Sequence, residues 1–311
     1  MKKVLKIIGI AALVIVVLTV ALLLWLSKLP SVPDDYTEQV SAGGDLEARY
    51  LAMGSHAVGY FESASMNSFE KYEIYYPADI TKGGPFPVVV FVNGTGVKGS
   101  KYPALQEHMA SWGFITIATE EEYAWNGFSA EMCVRYLEIL NAYEEAGKEN
   151  VFYHNIDLDN IGITGHSQGG IGVINAITEQ RHADSYRAAV ILSCGNGGTG
   201  INPAMQWEFD DTLIETPTML MGSTGQGDAL LASLESVQRL YNNISSGTPK
   251  VMARRNDVDH GQMLYYADGY VTAWFMWHLR GDEEAAKAFV GDHAELMGNS
   301  LYQDQQSHFV E

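Results

Sequence analysis

Residues 160–176 read NIGITGHSQGGIGVINA, a serine set between glycines where one apolar run ends and another begins. The first run is short and bounded by glycine, which predicts a buried strand; the second reads as a helix. A strand that turns directly into a helix has room for very few side chains at the junction. In a G-x-S-x-G turn the serine is forced into a strained backbone conformation that lifts its hydroxyl out at the carboxyl edge of the sheet. Side chains two positions before and after it would collide, and Gly165 and Gly169 remove them. Gly170 and Gly172 let the following helix lie close to the sheet, with the positive end of its dipole beneath the serine. This junction demands a strand, a helix and a sheet edge at once, and so constrains the fold more than any other stretch of the chain.

The rest of the sequence supplies alternating elements. YEIYYPA (Tyr72–Ala78) predicts a strand, and PVVVFVNG (Pro87–Gly94) and FITIAT (Phe114–Thr119) predict buried ones. AAVILS (Ala188–Ser193), PTMLMG (Pro217–Gly222) and KVMARR (Lys250–Arg255) predict three more. Helices are expected over Tyr102–Gly113, over Ser129–Gly147 with Ser129 as N-cap, over Ala229–Asn243 and over Tyr270–Gly281. Strands separated by helices point to parallel βαβ units, hence an α/β domain whose mostly parallel central sheet has helices on both faces. One such domain is expected over residues 34–311. Asp34–Tyr50 reads as a polar approach segment, and Cys194–Pro217 is long for a simple connection, which suggests an insertion over the site.

A serine hydroxyl is a weak nucleophile at neutral pH and needs a base, itself oriented by an acid. The downstream histidines are His182, His260, His278, His293 and His308. His182 ends the elbow helix, His278 sits inside an amphipathic helix as a packing or surface residue, and the last two lie beyond the last predicted strand. His260 follows that strand in a short loop, where a base can reach the serine. For the acid, the loop after PTMLMG carries Asp228, which could equally be a helix N-cap. Asp210, Asp211 and Asp259 stay open as alternatives. An oxyanion needs two preorganised N–H donors. Gln168 follows the serine, and Thr95 lies in Asn93-Gly94-Thr95-Gly96, whose glycines allow backbone to approach a substrate closely. Gly94, Trp125 and Trp207, with Tyr123 and Phe128, are candidate substrate contacts; the alternative is that the aromatics pack under loops. Glu120 and Glu121 read as a solvated edge, or as groups that disfavour anionic substrates if they face the pocket.

VFVNGTG…YPALQEHMASWGFITIAT, GHSQGG and the segments around Asp228 and His260 together resemble the α/β-hydrolase superfamily. They are most similar to its branch of dienelactone-hydrolase-like, chlorophyllase-like and polyester-hydrolase (cutinase-type) enzymes, over about residues 56–290. The resemblance implies the α/β-hydrolase fold and a serine carboxylic-ester hydrolase that works through an acyl-enzyme. Carried onto this sequence, Ser167 is the nucleophile, His260 the base and Asp228 the acid, with Thr95 and Gln168 forming the oxyanion hole. The chain departs from the branch in three places. Its nucleophile is serine where true dienelactone hydrolases use cysteine. Its GSTGQGD loop is longer and richer in glycine than usual. The cysteine pair near the C-terminus of many secreted polyester hydrolases is absent. Amide cleavage, acyl transfer to an alcohol, and a surface binding protein without turnover are the rival readings of the same scaffold.

Lys2, Lys3 and Lys6 precede an uncharged apolar stretch, Ile7–Leu26, of about the length that crosses a bilayer as a helix. No small-x-small cleavage motif follows it, and a proline-bearing linker does. Residues 1–33 are therefore expected to be a signal anchor, with a cleaved signal peptide as the alternative, and the domain beyond them to be extracytoplasmic. No cysteine lies there to carry a lipid. A net charge of −19 argues against nucleic acid or an anionic membrane face as partners. The histidines are scattered, and no H-E-x-x-H, paired CxxC, dinucleotide fingerprint or P-loop occurs, so neither metal nor cofactor is expected and a small-molecule ester is the expected partner. Cys133 and Cys194 read as two buried free thiols.

Overall fold

The apolar runs pair into one nine-stranded sheet in a computed structural model that describes residues 12–21, 29–65, 67–144, 150–195 and 207–309. The strands are β1 (Val58–Ala64), β2 (Lys71–Pro77), β3 (Phe86–Val92), β4 (Ile115–Thr119), β5 (Ile156–His166), β6 (Tyr186–Leu192), β7 (Thr218–Ser223), β8 (Lys250–Arg255) and β9 (Tyr302–His308). Their order is β1-β2-β4-β3-β5-β6-β7-β8-β9. Pairings from β4 through β8 are parallel. Those of β1 with β2, β2 with β4 and β8 with β9 are antiparallel.

Side chains alternate across a strand, and here the two sides feed two cores. Val88 and Val90 of β3, Ala189 and Ile191 of β6 and Leu220 of β7 enter one apolar cluster. Val89, Ala188, Val190, Met219 and Met221 enter the other. Helices α3 (Phe128–Ala142), α4 (Gln168–Thr178) and α6 (Leu234–Asn243) cover the first face with Leu137, Ile174 and Leu240. Helices α2 (Pro103–Ser111) and α7 (Asp268–Arg280) cover the second with Met109, Trp274 and Phe275. Helix α7 sits close because β5 carries Gly162 there; a Cβ would lie 2.6 Å from the Phe275 ring. Cys133 and Cys194 are both buried and free.

Several expectations are corrected. The helix expected over Ala229–Asn243 is two helices, α5 (Gln226–Leu231) and α6, because the Ser233 hydroxyl accepts the Ser236 N–H and starts a new one. Ser129 does not cap α3; Gly127, at φ 72°, precedes it, and Ser129 is buried inside the helix. KVMARR is not the last strand. YQDQQSH forms β9, an edge strand too polar to show an apolar period, and His308 lies within it. The strand β1 was not read from the sequence either.

Asp34–Tyr50 is not a mere approach segment. It holds α1 (Asp45–Leu51), whose Glu47 is buried. One Glu47 oxygen accepts from Arg255 Nη1 at 2.7 Å and from the Tyr302 hydroxyl at 2.7 Å. The other accepts from Gly43 N at 2.6 Å and Asn299 Nδ2 at 2.8 Å. Arg255 also donates to the Ser41 carbonyl and lies 4.8 Å from the centre of the Tyr302 ring. A buried ion pair is tolerated when its remaining lone pairs and protons are satisfied in this way.

Met1–Ser31 forms a unit separate from Val32–Glu311. Within it, residues 12–21 form a helix with exposed apolar side chains. The rest of the expected Ile7–Leu26 span lies outside the described residues. Among the described residues no helix is long and apolar enough to cross a membrane.

Candidate active site

Strand β5 ends at His166 and α4 begins at Gln168, leaving Ser167 alone at the turn with φ 58° and ψ −122°. That conformation lies in a region where a residue with a Cβ is strained, at a cost on the order of 1–3 kcal/mol. The glycines around it make the turn possible. A Cβ on Gly165 would lie 2.3 Å from the Gly169 carbonyl oxygen, and one on Gly169 would lie 2.1 Å from the carbonyl oxygen of Val92. One on Gly170 would meet Cys194, and one on Gly172 would lie 2.3 Å from the Ala124 carbonyl oxygen. Gly172 thus lets the loop after β4, as well as β3, press on the helix. The Ser167 N–H donates to the Leu192 carbonyl at 2.9 Å and ties the turn to the end of β6.

Three of the expected residues meet here. His260 Nε2 lies 3.0 Å from Ser167 Oγ, and His260 Nδ1 lies 2.5 Å from Asp228 Oδ1. With Nδ1 protonated toward the carboxylate, Nε2 is left to accept the serine proton. Asp228 is fully buried. Burial alone would raise its pKa, but hydrogen bonds from His260, Ser193 and Ser223 outweigh this and hold the carboxyl below its ordinary value. It lies in the first turn of α5 behind Gly225, so it is not the N-cap. The alternative acids are engaged elsewhere. Asp210 accepts the Thr212 N–H at 3.0 Å, and Asp211 accepts from Asn243 at 3.0 Å.

Asp259 is held closer to the site. Its Oδ1 accepts the N–H of Gly227 at 3.0 Å and of His260 at 2.8 Å, so one carboxylate bridges the loops carrying Asp228 and His260. Gln262 closes a capping box on it. The same two loops are joined by Thr224 N to Arg255 O at 3.0 Å, Gly225 N to Val258 O at 3.0 Å and Asp257 N to Thr224 Oγ1 at 2.9 Å. The sequence reading found none of these bridging roles. A glycine-rich loop facing an Asp-His pair was the only signal available.

His166, inside the G-x-S-x-G motif, faces the same loop. Its Nε2 donates to the His260 carbonyl at 2.8 Å, and its ring centre lies 4.6 Å from that of His260. Burial, and then the nearby His260, lower its pKa to about 4, so it remains neutral beside the His260 ring.

Gly94 lies against the elbow; a Cβ there would stand 3.2 Å from the His166 carbonyl oxygen and 3.7 Å from Ser167 Cβ. The exposed Thr95 follows it in the chain. The turn is braced on either side of Thr95, by Gly94 N to the Tyr102 hydroxyl at 3.4 Å and by Gly96 N to the Glu122 carbonyl at 2.8 Å. Asn93 Nδ2 ties it further to the carbonyls of Thr119 and Glu121, at 2.7 and 2.8 Å. Gln168, as the first residue of α4, has no intrahelical acceptor for its N–H. Thr95 and Gln168 thus belong to two different elements, the turn after β3 and the start of α4.

Trp125 and Trp207 are half-buried and pack against the core on the α4 face. Asn175 of α4 donates to the Trp125 carbonyl at 2.8 Å and the Glu208 carbonyl at 3.0 Å, joining their segments. Tyr123 and Phe128 are exposed. Glu120 is not a solvated edge: it is buried and accepts from Ser100 N and Oγ at 2.8 and 2.9 Å. Residues 196–206, the middle of the expected insertion, lie outside the described residues. Of the other histidines, His182 is held by Glu131 at 3.0 Å, His278 is packed between Trp274 and Trp277, and His293 is exposed. Among the described residues no cluster suits a metal ion.

A bis(hydroxyethyl) terephthalate hydrolase of Streptomyces coelicolor is 26% identical to the chain over 200 residues, covering 64% of this chain and 57% of that protein. The chain therefore spans little more than half the length of this curated relative. The PET hydrolase-like family, PETase, matches residues 42–302, a range that takes in the sheet from β1 to the start of β9 and every residue gathered around Ser167. With its mixed sheet covered by helices on both sides, the chain belongs to the PET hydrolase-like family, in the polyester-hydrolase branch of the α/β hydrolases.

Proposed function

We propose that residues 34–311 form a serine hydrolase of carboxylic esters. The observation that carries this reading is the hydrogen-bonded row Ser167–His260–Asp228 at a strained strand-to-helix turn. Ser167 Oγ attacks the ester carbonyl while His260 Nε2 takes its proton, and Asp228 holds the imidazole and stabilises its charge. The Thr95 and Gln168 amides receive the oxyanion, and no side chain has to rearrange for them to do so. His260 then protonates the leaving alcohol, activates water and releases the acid from the acyl-enzyme. Gly94 lets backbone approach the substrate, and Trp125 and Trp207 line the substrate side of the helix.

The family and the named relative support hydroxyalkyl esters of aromatic acids, of the bis(hydroxyethyl) terephthalate kind, as the substrate class. Residues 1–33 would then export or tether an extracytoplasmic domain, which fractionation of expressing cells checks. The activity test is hydrolysis of bis(hydroxyethyl) terephthalate and of p-nitrophenyl esters from acetate to palmitate. Ser167→Ala and His260→Ala should each lower kcat by about 10⁴-fold or more. A folded parent protein that matches both variants on every ester would overturn the assignment.

A further inference from the structure

We propose that Ser193 is a positioning residue for the catalytic acid: its hydroxyl fixes the Asp228 carboxylate in the orientation that presents the other oxygen to His260. This rests on the triad proposed above.

Ser193 directly follows β6, is fully buried and has φ 44°. A side chain other than glycine is uncommon there, and asparagine or aspartate tolerates it better than serine. Glycine would hold this backbone at the least cost, so the presence of a serine calls for a reason in its side chain. Its hydroxyl donates to Asp228 Oδ2 at 2.6 Å, while its N–H donates to the Met221 carbonyl at 2.7 Å. The positive φ and the β7 contact together aim the hydroxyl across the sheet edge at the acid.

The acid needs such a partner. Asp228 rides on α5, a helix of six residues whose Leu230 is 82% exposed, so the helix itself is lightly held. Oδ2 is fixed by two donors from two strand ends, Ser193 Oγ and Ser223 N at 2.7 Å. Oδ1 is thereby left for His260. With the hydroxyl removed, Oδ2 retains a single donor, and the carboxylate is freer to turn and more basic. The preceding residue, Leu192, accepts the Ser167 N–H. Two consecutive residues at the end of β6 thus brace the nucleophile and the acid. The other titratable groups facing the pair are His166, packed on the His260 ring, and Asp259, which accepts the His260 N–H; neither has a hydrogen bond to Oδ2.

The test compares Ser193→Ala, which keeps the backbone demand, with Ser193→Gly, which relieves it; both lack the hydroxyl. The readouts are p-nitrophenyl acetate kinetics across pH and the rate at which a fluorophosphonate labels Ser167. Both variants should lose about 10-fold in kcat and in labelling rate, with KM changed less than about twofold. The acidic limb of kcat/KM should move up by about half a pH unit, because a more basic carboxylate holds the imidazolium proton more tightly. In an Asp228→Ala background, Ser193→Ala should have no further effect. A Ser193→Gly protein with parental kcat and pH profile would overturn the role of Ser193, as would an equal loss in the Asp228→Ala background. An unlabelled Ser167 in the parent protein would overturn the triad and this assignment with it.

Discussion

The two halves of the site are built by different means. Ser167 is placed by backbone: a strained turn with Gly165, Gly169, Gly170 and Gly172 packed so closely that no side chain intervenes. Asp228 and His260 are placed by hydrogen bonds between the loops after β7 and β8, through Asp259 and Thr224, and from Ser193 at the end of β6. The first half is rigid because nothing else fits. The second is rigid because its polar groups are satisfied by one another. Steric exclusion tolerates almost no substitution, whereas a bonded bridge can lose one member and keep its shape at reduced precision.

The contrast breaks first at Gly169. Gly169→Ala sets a Cβ 2.1 Å from one carbonyl oxygen and 2.9 Å from the next, both backbone, so β3 or α4 must move. A loss of about 3 kcal/mol or more is expected, with nearly all ester turnover, in thermal unfolding and kinetic assays. An unchanged Tm would show the elbow to be more yielding than its contacts imply.

Asp259→Ala should have a smaller effect. It unpairs the Gly227 and His260 N–H groups on an exposed loop, lowering kcat about 10-fold while costing about 1 kcal/mol of stability. Asp259→Asn keeps the accepting oxygen and should stay near the parent. If both variants fall equally, charge rather than bridging is what Asp259 contributes.

The smallest effect is on acid stability. His278 is pushed down to about 4 by burial alone, from an ordinary 6.5. It stays neutral in the folded protein while the unfolded chain takes up a proton below 6.5, so it lowers stability progressively as pH falls from about 6.5 toward 4. His166 behaves the same way from within the elbow. His278→Leu should therefore flatten the fall in Tm with pH over that window. An unchanged slope would assign the acid sensitivity to the elbow histidine.

What could be read from the sequence follows the same division. G-H-S-Q-G shows in five letters because glycine exclusion is local, and the runs of β3, β4, β5 and β8 show because each is buried on both faces. The half built from Asp228 and His260 rests on contacts between residues about 30 apart, Asp228 with His260 and Gly227 with Asp259, and carries no periodic signal. Ser193 looked like the last residue of a strand, and only its φ and its partner distinguish it. The strand β9 was missed because an edge strand facing water has no apolar alternation to display. The break between α5 and α6 was missed because Ser233 fits a helix interior as well as a cap until the Ser236 contact is seen.

The cluster around Glu47 bears on how the protein is made. It unites Gly43 and Glu47 with Arg255, Asn299 and Tyr302, contacts separated by more than 200 positions. On a ribosome the chain emerges N-terminus first, so Glu47 is made more than 200 residues ahead of Arg255, Asn299 and Tyr302, which surround it. Arg255 closes β8 and leads into the loop that carries His260. The ring of partners around Glu47 is therefore complete only once residue 302 has been made.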